Sequence, residues 1–200
     1  MTGADPSRLV LASASPRRSD LLRQAGIGFE VRPADIPEII EPDESPVAFA
    51  QRLAHSKALC IAEQIGAPPA RLVLGADTIV VLDGDVLGKP RDPDHALELL
   101  ERLTGREHSV ITAVTLVASE TLRAWQVAVT SRVEMRAAAR DELIAYVATG
   151  ESLDKAGGYA VQGGARSFVT RIRGSETNVI GLPLDETVEL LGEAGWRHST

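Results

Sequence analysis

The stretch 9–18, with the sequence LVLASASPRR, decides how the fold begins. Its apolar first part predicts a β-strand, Ser15 is a favourable N-cap, and Pro16 is a favourable first residue of a helix. Arg17 and Arg18 then lie at the positive end of the helix dipole, which disfavours cations unless an anion lies among them. Backbone N–H groups, hydroxyls and guanidinium groups together suit a phosphate, although two solvated surface arginines would also fit the pattern.

The composition limits the partners that such a site can serve. The chain has 200 residues with a net charge of −7, and 44% of them are hydrophobic. This length is enough for a sizeable core, and we expect one domain over residues 1–200. The negative charge disfavours binding to a nucleic-acid polymer, because such proteins usually present a broad basic surface. We therefore expect the basic residues to act locally, on a small polyanionic ligand.

Other features concern the cellular compartment. No apolar stretch approaches the ~20 residues that span a bilayer, and residues 1–6 lack the basic and apolar regions of a signal peptide. Cys60 is the single cysteine, which excludes an internal disulfide and fits a reducing compartment. We interpret Cys60 as a core residue of a helix and disfavour a catalytic thiol. A cytoplasmic protein without membrane contact is expected.

Helix and strand signals alternate along the chain, but hairpins interrupt the alternation. Periodicity, caps and turn residues predict strands at 9–12, 29–33, 72–82, 86–87, 109–118, 124–135 and 168–172, and helices beginning at 16, 46, 93, 141 and 183. The runs 109–118 and 124–135 are expected to pair as an antiparallel hairpin. The sequence therefore predicts an α/β fold with a mixed sheet flanked by helices.

Two charged residues lie inside apolar patterns. Asp77 interrupts a predicted buried strand, where a carboxylate must neutralise, pair or bind a cation. A structural hydrogen bond, a metal ligand and a general base are the alternatives for this residue. Lys57 falls on the helical stripe of Phe49, Leu53 and Ile61, so its amine either reaches solvent or binds a phosphate.

An acidic loop offers a second carboxylate near Asp77. One of its members could join Asp77 around Mg²⁺, a hard cation that takes a few carboxylates plus substrate phosphates, although such runs are usually solvated. Sequence spacing does not choose among Glu38, Glu41, Asp43 and Glu44.

Two further segments are predicted loops. Lys89 follows the hairpin return and is either an ordinary loop lysine or another phosphate contact. The glycine-rich segment 154–164 is either a flexible loop or a close approach to a ligand, with Gln162 able to read a base edge. The chain contains no Walker A loop, no G-x-G-x-x-G and no G-x-S-x-G, and its four histidines lack metal-ligand spacing.

Five motifs follow one another along nearly the whole chain: S-x-S-P-R-R at 13–18, G-A-D-T at 75–78, L-G-K-P-R-D at 87–92, L-D-K-A-G-x-Y-x-x-Q-G at 153–163 and N-V-x-G-L-P at 178–183. In this order they resemble the Maf family of nucleoside triphosphate pyrophosphatases, and in particular its dTTP/UTP subgroup. The resemblance implies a twisted mixed sheet in two lobes with a deep cleft, similar to inosine triphosphate pyrophosphatases, and a homodimer. It also implies hydrolysis between the α- and β-phosphates, dependent on Mg²⁺ or Mn²⁺.

The resemblance further assigns roles to residues of this chain. Asp77 matches the catalytic proton acceptor, and together with Glu38 it matches the carboxylates near the metal. The phosphate-binding set corresponds to Ser13, Arg17, Arg18, Lys57 and Lys89. Positions associated with base preference correspond to Arg17, Thr78 and Gln162. Two alternatives stay open: a pyrophosphatase for modified nucleotides, such as inosine-like, oxidised or 7-methylated ones, and a nucleotide-binding regulator of septum formation.

Overall fold

The computed structural model describes residues 9–66 and 70–196. In these ranges the strands are β1 (Leu9–Leu11), β2 (Glu30–Val31), β3 (Leu72–Leu82), β4 (Asp85–Leu87), β5 (Glu107–Ala118), β6 (Ala124–Met135) and β7 (Val169–Arg173). The α-helices are α1 (Pro16–Gln24), α2 (Pro46–Ile65), α3 (Pro93–Leu103), α4 (Arg140–Val147), α5 (Glu176–Ile180) and α6 (Leu184–Glu193). No helix in these ranges combines the length and the apolar character that a bilayer crossing needs.

The strands form one seven-stranded sheet in the order β2-β1-β3-β5-β6-β7, and β4 pairs with β3. Strand β1 runs parallel to both β2 and β3, with Val10 opposite Val73. By contrast, β4 is antiparallel to β3 and β7 is antiparallel to β6. The predicted α/β fold with a mixed sheet is therefore confirmed.

The described chain divides into two compact units. The first unit comprises the residues up to Asp77, Thr112–Val129 and the residues from Gly181 onward, and the second comprises Thr78–Ile111 and Thr130–Ile180. In the first unit, helix α2 packs its buried face on strands β1, β3 and β5 through the cluster Val10, Ala12, Ala58, Ile61, Ala62, Val73 and Val117. In the second unit, helix α3 packs against α4.

Helix α2 has the bounds that its sequence predicts. The Ser45 hydroxyl accepts the Ala48 amide at 3.3 Å, Pro46 begins the helix, and Gly66 ends it with a φ of +63°. Cys60 lies in this helix as predicted, but it is only half-buried, and its sulfur accepts the Gln64 amide at 3.4 Å. The interpretation of Cys60 as a core residue is therefore wrong, because its position on the helix turns it away from the buried stripe.

Strand β3 approaches helix α2 so closely that only glycine fits at position 75. A Cβ at Gly75 would lie 2.2 Å from the Ala54 carbonyl oxygen and 2.7 Å from the Ala58 amide nitrogen. The main chains of β3 and α2 are therefore in direct contact, which brings Lys57 of the helix beside Asp77 of the strand.

Three segments differ from the sequence expectations. The glycine-rich region contains short 3-10 helices at Ala156–Gly158 and Gly164–Phe168, so β7 begins only at Val169. Helix α5 lies in a polar segment without apolar periodicity. It depends on the Ser175 hydroxyl, which accepts the Asn178 amide at 3.1 Å, and on the Asn178 side chain, which donates to the Val110 carbonyl at 3.1 Å.

Candidate active site

Three charged side chains meet in the first unit. The Lys57 Nζ atom lies 2.6 Å from Asp77 Oδ1 and 2.6 Å from Glu38 Oε1. The Lys57 and Asp77 side chains are only 9% and 7% exposed, whereas that of Glu38 is 38% exposed. The lysine therefore does not extend into solvent but donates to two carboxylates, one from strand β3 and one from the acidic loop.

Burial and neighbouring charges act against each other on these groups. Burial raises the pKa of Asp77, and the adjacent Lys57 ammonium opposes that rise, as does the Arg18 guanidinium. Burial likewise lowers the pKa of Arg18, while the charge of Asp77 opposes the change. The cluster thus keeps a carboxylate of increased basicity among cations, and such perturbed groups are typical of active sites.

The structure distinguishes the members of the acidic loop. Only Glu38 among the four candidates contacts Lys57 within the described residues. Glu44 instead binds Arg52 through both carboxylate oxygens at 2.7 Å, and Glu41 lies 3.6 Å from the same guanidinium. Asp43 forms a turn with a φ of +60°. Glu38 is therefore the member of the acidic loop that shares Lys57 with Asp77.

The N-terminus of helix α1 differs from those of α2 and α3. Ser15 is the N-cap residue, as predicted, but its side chain makes no capping hydrogen bond within the described chain. In contrast, Ser45 caps α2 and Asp92 caps α3, where Asp92 Oδ1 accepts the His95 amide at 2.7 Å. The Ser15 hydroxyl therefore does not cap α1, and a helix N-terminus of this kind can accept an anion.

The two arginines at the start of α1 have different environments. Arg18 Nη1 donates to the Ser13 hydroxyl at 2.9 Å, and Arg18 Nε donates to the Gly181 carbonyl at 2.9 Å. The Ser13 hydroxyl also accepts the Ser15 amide at 3.3 Å. Arg17 Nε, by contrast, is buried without a hydrogen-bond partner among the described residues. A buried donor without an acceptor is costly, so Arg17 is the side chain that most needs an anion.

The remaining predicted site residues belong to the second unit. Thr78 directly follows Asp77 on β3 and is half-buried, while Lys89 and Gln162 are exposed. The Gly157 amide donates to the Gly88 carbonyl at 3.0 Å, so the motif containing Lys89 contacts the glycine-rich motif. Gly157 has a φ of +69°, and a Cβ there would lie 3.1 Å from the Val80 side chain.

The residues present fit a hard divalent cation. Glu38 and Asp77 direct carboxylate oxygens at one ammonium, so both already face a shared positive charge. Across the described ranges no group of three or more His, Cys, Asp or Glu could hold a metal by itself. Two carboxylates completed by substrate phosphates and water match the usual coordination of Mg²⁺.

Sequence reasoning missed two contributors to the geometry. The Gly181 carbonyl holds Arg18, and only the glycine of the motif N-V-x-G-L-P could have indicated it. Lys155, in the motif D-K-A-G, has a side chain that is 13% exposed, donates to the Glu151 carbonyl at 2.7 Å and contacts Asp154. Lys155 therefore stabilises its own segment.

Comparison with known proteins gives consistent results. The family described as "Maf-like protein" matches residues 8–194. The dTTP/UTP pyrophosphatase of Syntrophus aciditrophicus is 48% identical over 94% of this chain and 90% of its own length. That of Geobacter sulfurreducens is 47% identical over 96% and 98%, respectively. Among solved structures, a HAM1 protein from Coxiella burnetii aligns with a TM-score of 0.49 at 17% identity, over 92% of this chain and 98% of its own.

Proposed function

This chain belongs to the family of Maf-like proteins, and we propose that it hydrolyses dTTP and UTP to the nucleoside monophosphate and pyrophosphate. Relatives that are 47% and 48% identical over nearly their whole length carry the name dTTP/UTP pyrophosphatase. The observation that carries the proposal is the buried cluster in which Lys57 joins Asp77 and Glu38. A buried carboxylate surrounded by cations is what attack on a phosphoric anhydride requires.

The phosphates are bound by the start of helix α1 and the cations near it. The N-terminus of α1, which the Ser15 side chain does not cap, and the buried Arg17 Nε, which has no acceptor among the described residues, are suited to an anion. Arg18 is fixed by Ser13 and Gly181, so it presents a positioned charge with little rotamer freedom to lose. Lys57 is a further cation of this cluster, and the resemblance assigns the same phosphate-binding role to Lys89.

Asp77 accepts the proton of the water that attacks the α-phosphorus. The Lys57 ammonium contacts Oδ1, so we assign proton acceptance to Oδ2. Because burial raises the pKa of Asp77, its carboxylate is a stronger base than an exposed aspartate. The Lys57 ammonium opposes the rise in the pKa of Asp77 and fixes the position of its carboxylate.

Glu38 and Asp77 would hold the divalent cation, Mg²⁺ or Mn²⁺. When bound, the cation would offset the charge of the phosphate oxygens and polarise the anhydride. Glu38 is the more exposed of the two carboxylates, so it can exchange its lysine contact for the cation at lower cost.

Base preference would come from Arg17, Thr78 and Gln162. Gln162 is exposed and has both a donor and an acceptor, as a base edge requires. Following the resemblance, we further propose a cytoplasmic homodimer. Light scattering on the purified chain measures the assembly, and a monomeric mass at micromolar concentration would contradict it.

A substrate panel tests the proposal. Pyrophosphate release is measured for dTTP, UTP, CTP, GTP, ITP and 7-methyl-GTP, each with Mg²⁺, with Mn²⁺ and with a chelator. We expect turnover of dTTP and UTP that exceeds the other rates by at least about tenfold and is lost with the chelator. Preference for ITP or 7-methyl-GTP would instead identify a pyrophosphatase for modified nucleotides. Tight dTTP binding without pyrophosphate release would indicate a regulator.

A further inference from the structure

The turn that carries Gln162 is fixed on both sides of that residue. Gly163 donates its amide to the Ala160 carbonyl at 3.2 Å, and Arg166 donates to the Gly163 carbonyl at 3.0 Å. Val161 is 5% exposed and Ala165 is fully buried, whereas Gln162 between them is exposed. The neighbours of Gln162 are therefore anchored while its amide is presented outward.

The Glu151 side chain is hydrogen-bonded to the main chain of this turn. Its Oε2 atom accepts the Gly164 amide at 2.9 Å. A Cβ at Gly163 would lie 1.8 Å from Glu151 Oε1, although Gly163 has an ordinary φ of −137°. A side chain at position 163 would therefore displace the Glu151 carboxylate from its place beside the turn. The space is filled by the carboxylate of Glu151.

Tyr146 of helix α4 holds the preceding part of the same turn. Its hydroxyl accepts the Ala160 amide at 3.1 Å, and its ring lies 3.1 Å from where a Cβ on Gly164 would stand. Burial raises the pKa of Tyr146, the hydrogen bond from the Ala160 amide opposes that rise, and the nearby charge of Glu151 adds to it. Tyr146 and Glu151 thus each hold one end of the turn at residues 160–164, through the Ala160 and the Gly164 amide.

We propose that Glu151 is a positioning residue for base selectivity, which it exerts by holding the turn that presents Gln162. This inference rests on the proposed function and on the assignment of Gln162 as a base contact. A side chain on a fixed backbone loses less conformational freedom on binding than one on a mobile loop, so its hydrogen bonds discriminate more strongly. Glu151 itself does not contact the nucleotide.

The test compares ratios of kcat/KM for dTTP over GTP. Glu151→Ala removes the acceptor, and Gly163→Ala displaces the same carboxylate without altering it. Each is expected to lower the ratio by about tenfold, mainly through the KM of dTTP, while Glu151→Gln keeps an acceptor and retains the ratio within about threefold. Glu98→Ala and Gly192→Ala are the matched controls, since Glu98 is exposed and a Cβ at Gly192 meets nothing within 4 Å.

A double-mutant cycle separates positioning from general damage. Gln162→Ala alone should lower the ratio, and Glu151→Ala added to it should lower the ratio no further. Equal loss for every base in Glu151→Ala, or full additivity in the cycle, would overturn the inference. An unchanged ratio in Gln162→Ala would overturn it as well, while leaving the proposed hydrolysis intact. Failure of the unmodified chain to release pyrophosphate from dTTP would instead overturn the proposed function.

Discussion

Each unit contains a buried pair of ionisable side chains, and the two pairs differ in chemistry: one is an ion pair and the other is a hydrogen-bonded pair. In the first unit, Lys57 and Asp77 meet as ammonium and carboxylate at 2.6 Å. In the second unit, the His108 imidazole and the Tyr159 hydroxyl meet at 2.7 Å, with their rings edge to face. All four residues are buried.

The two pairs also differ in how burial affects the pKa values of their groups. Burial lowers the pKa of His108 from 6.5 to about 4, so this imidazole is neutral at pH 7. Burial also raises the pKa of Tyr159, which keeps its hydroxyl neutral. Lys57 and Asp77 instead form an ion pair, in which burial raises the pKa of Asp77 and the Lys57 ammonium opposes that rise, although replacing a buried ion pair by apolar residues is often neutral or stabilising. We therefore infer a functional role for the ion pair and a packing role for the neutral pair.

The strongest test of this contrast is Asp77→Asn, which removes the proposed base but keeps its shape. We expect pyrophosphate release from dTTP to fall by about 10²–10⁴-fold, with the circular dichroism spectrum unchanged. Asp20→Asn makes the same chemical change on an exposed residue paired with Arg23 and should leave the rate within about twofold. A folded Asp77→Asn protein with a near-normal rate would contradict the assignment.

Lys57→Met is expected to have the next largest effect, because it leaves Asp77 buried without its cation. Activity should fall on the order of 10²-fold, and unfolding in urea should show a loss of about 3–5 kcal/mol. Arg52→Met is the matched control on the same helix. Its partner Glu44 belongs to the acidic loop, and Arg52 is more exposed than Lys57, so the loss should be about 1 kcal/mol or less. Similar losses in both variants would contradict the contrast.

Gly75→Ala should change the distance between Lys57 and Asp77 without replacing either residue. Its Cβ would collide with the main chain of α2, so the strand or the helix must shift. The expected results are a loss of stability of about 1–3 kcal/mol and a rate reduced by at least about tenfold. Gly192→Ala, where a Cβ meets nothing within 4 Å, should do neither. Wild-type kinetics in Gly75→Ala would show that the contact does not set the spacing.

The smallest effect on activity is expected for His108→Gln, which keeps a side chain able to bond Tyr159. In the unmodified protein the unfolded state takes up a proton below pH 6.5, but folded His108 does not until about pH 4. Stability is therefore lost as the pH falls through that window, by up to about 3 kcal/mol. Urea unfolding at several pH values should show less of this loss in the variant, with dTTP turnover at pH 7 unchanged. An identical acid dependence in both proteins would contradict this interpretation.

Local signals in the sequence predicted most of the regular structure. Helix α2 begins and ends where Ser45, Pro46 and Gly66 indicate, because caps and turn residues act on their immediate neighbours. Charges placed in apolar patterns likewise identified Lys57 and Asp77, since burial of an unpaired charge is too costly to be incidental. Helix α5 was missed because its stability depends on tertiary hydrogen bonds from Asn178.

The choice of Glu38 from the acidic loop could not be made from the residues alone. The four candidates are chemically equivalent, and the path of the loop depends on the ion pair between Glu44 and Arg52 and on the Arg52 bond to the Ile39 carbonyl. Only the family resemblance singled out Glu38. The contact between Glu151 and Gly163 could not be predicted either, because these residues are 12 positions apart in the sequence and meet only in the folded chain.

The contact at Gly75 has a consequence for how such an enzyme can diverge or be redesigned. Since main chain touches main chain there, the distance between lysine and aspartate belongs to the scaffold and is insensitive to the identity of surrounding side chains. Substitutions at loop position 38 should therefore leave this distance unchanged. Positions 54, 58 and 75 lie in close contact, so a substitution at position 75 requires compensating changes at the other two. Stepwise change of the candidate active site is therefore expected in the loop that contains position 38.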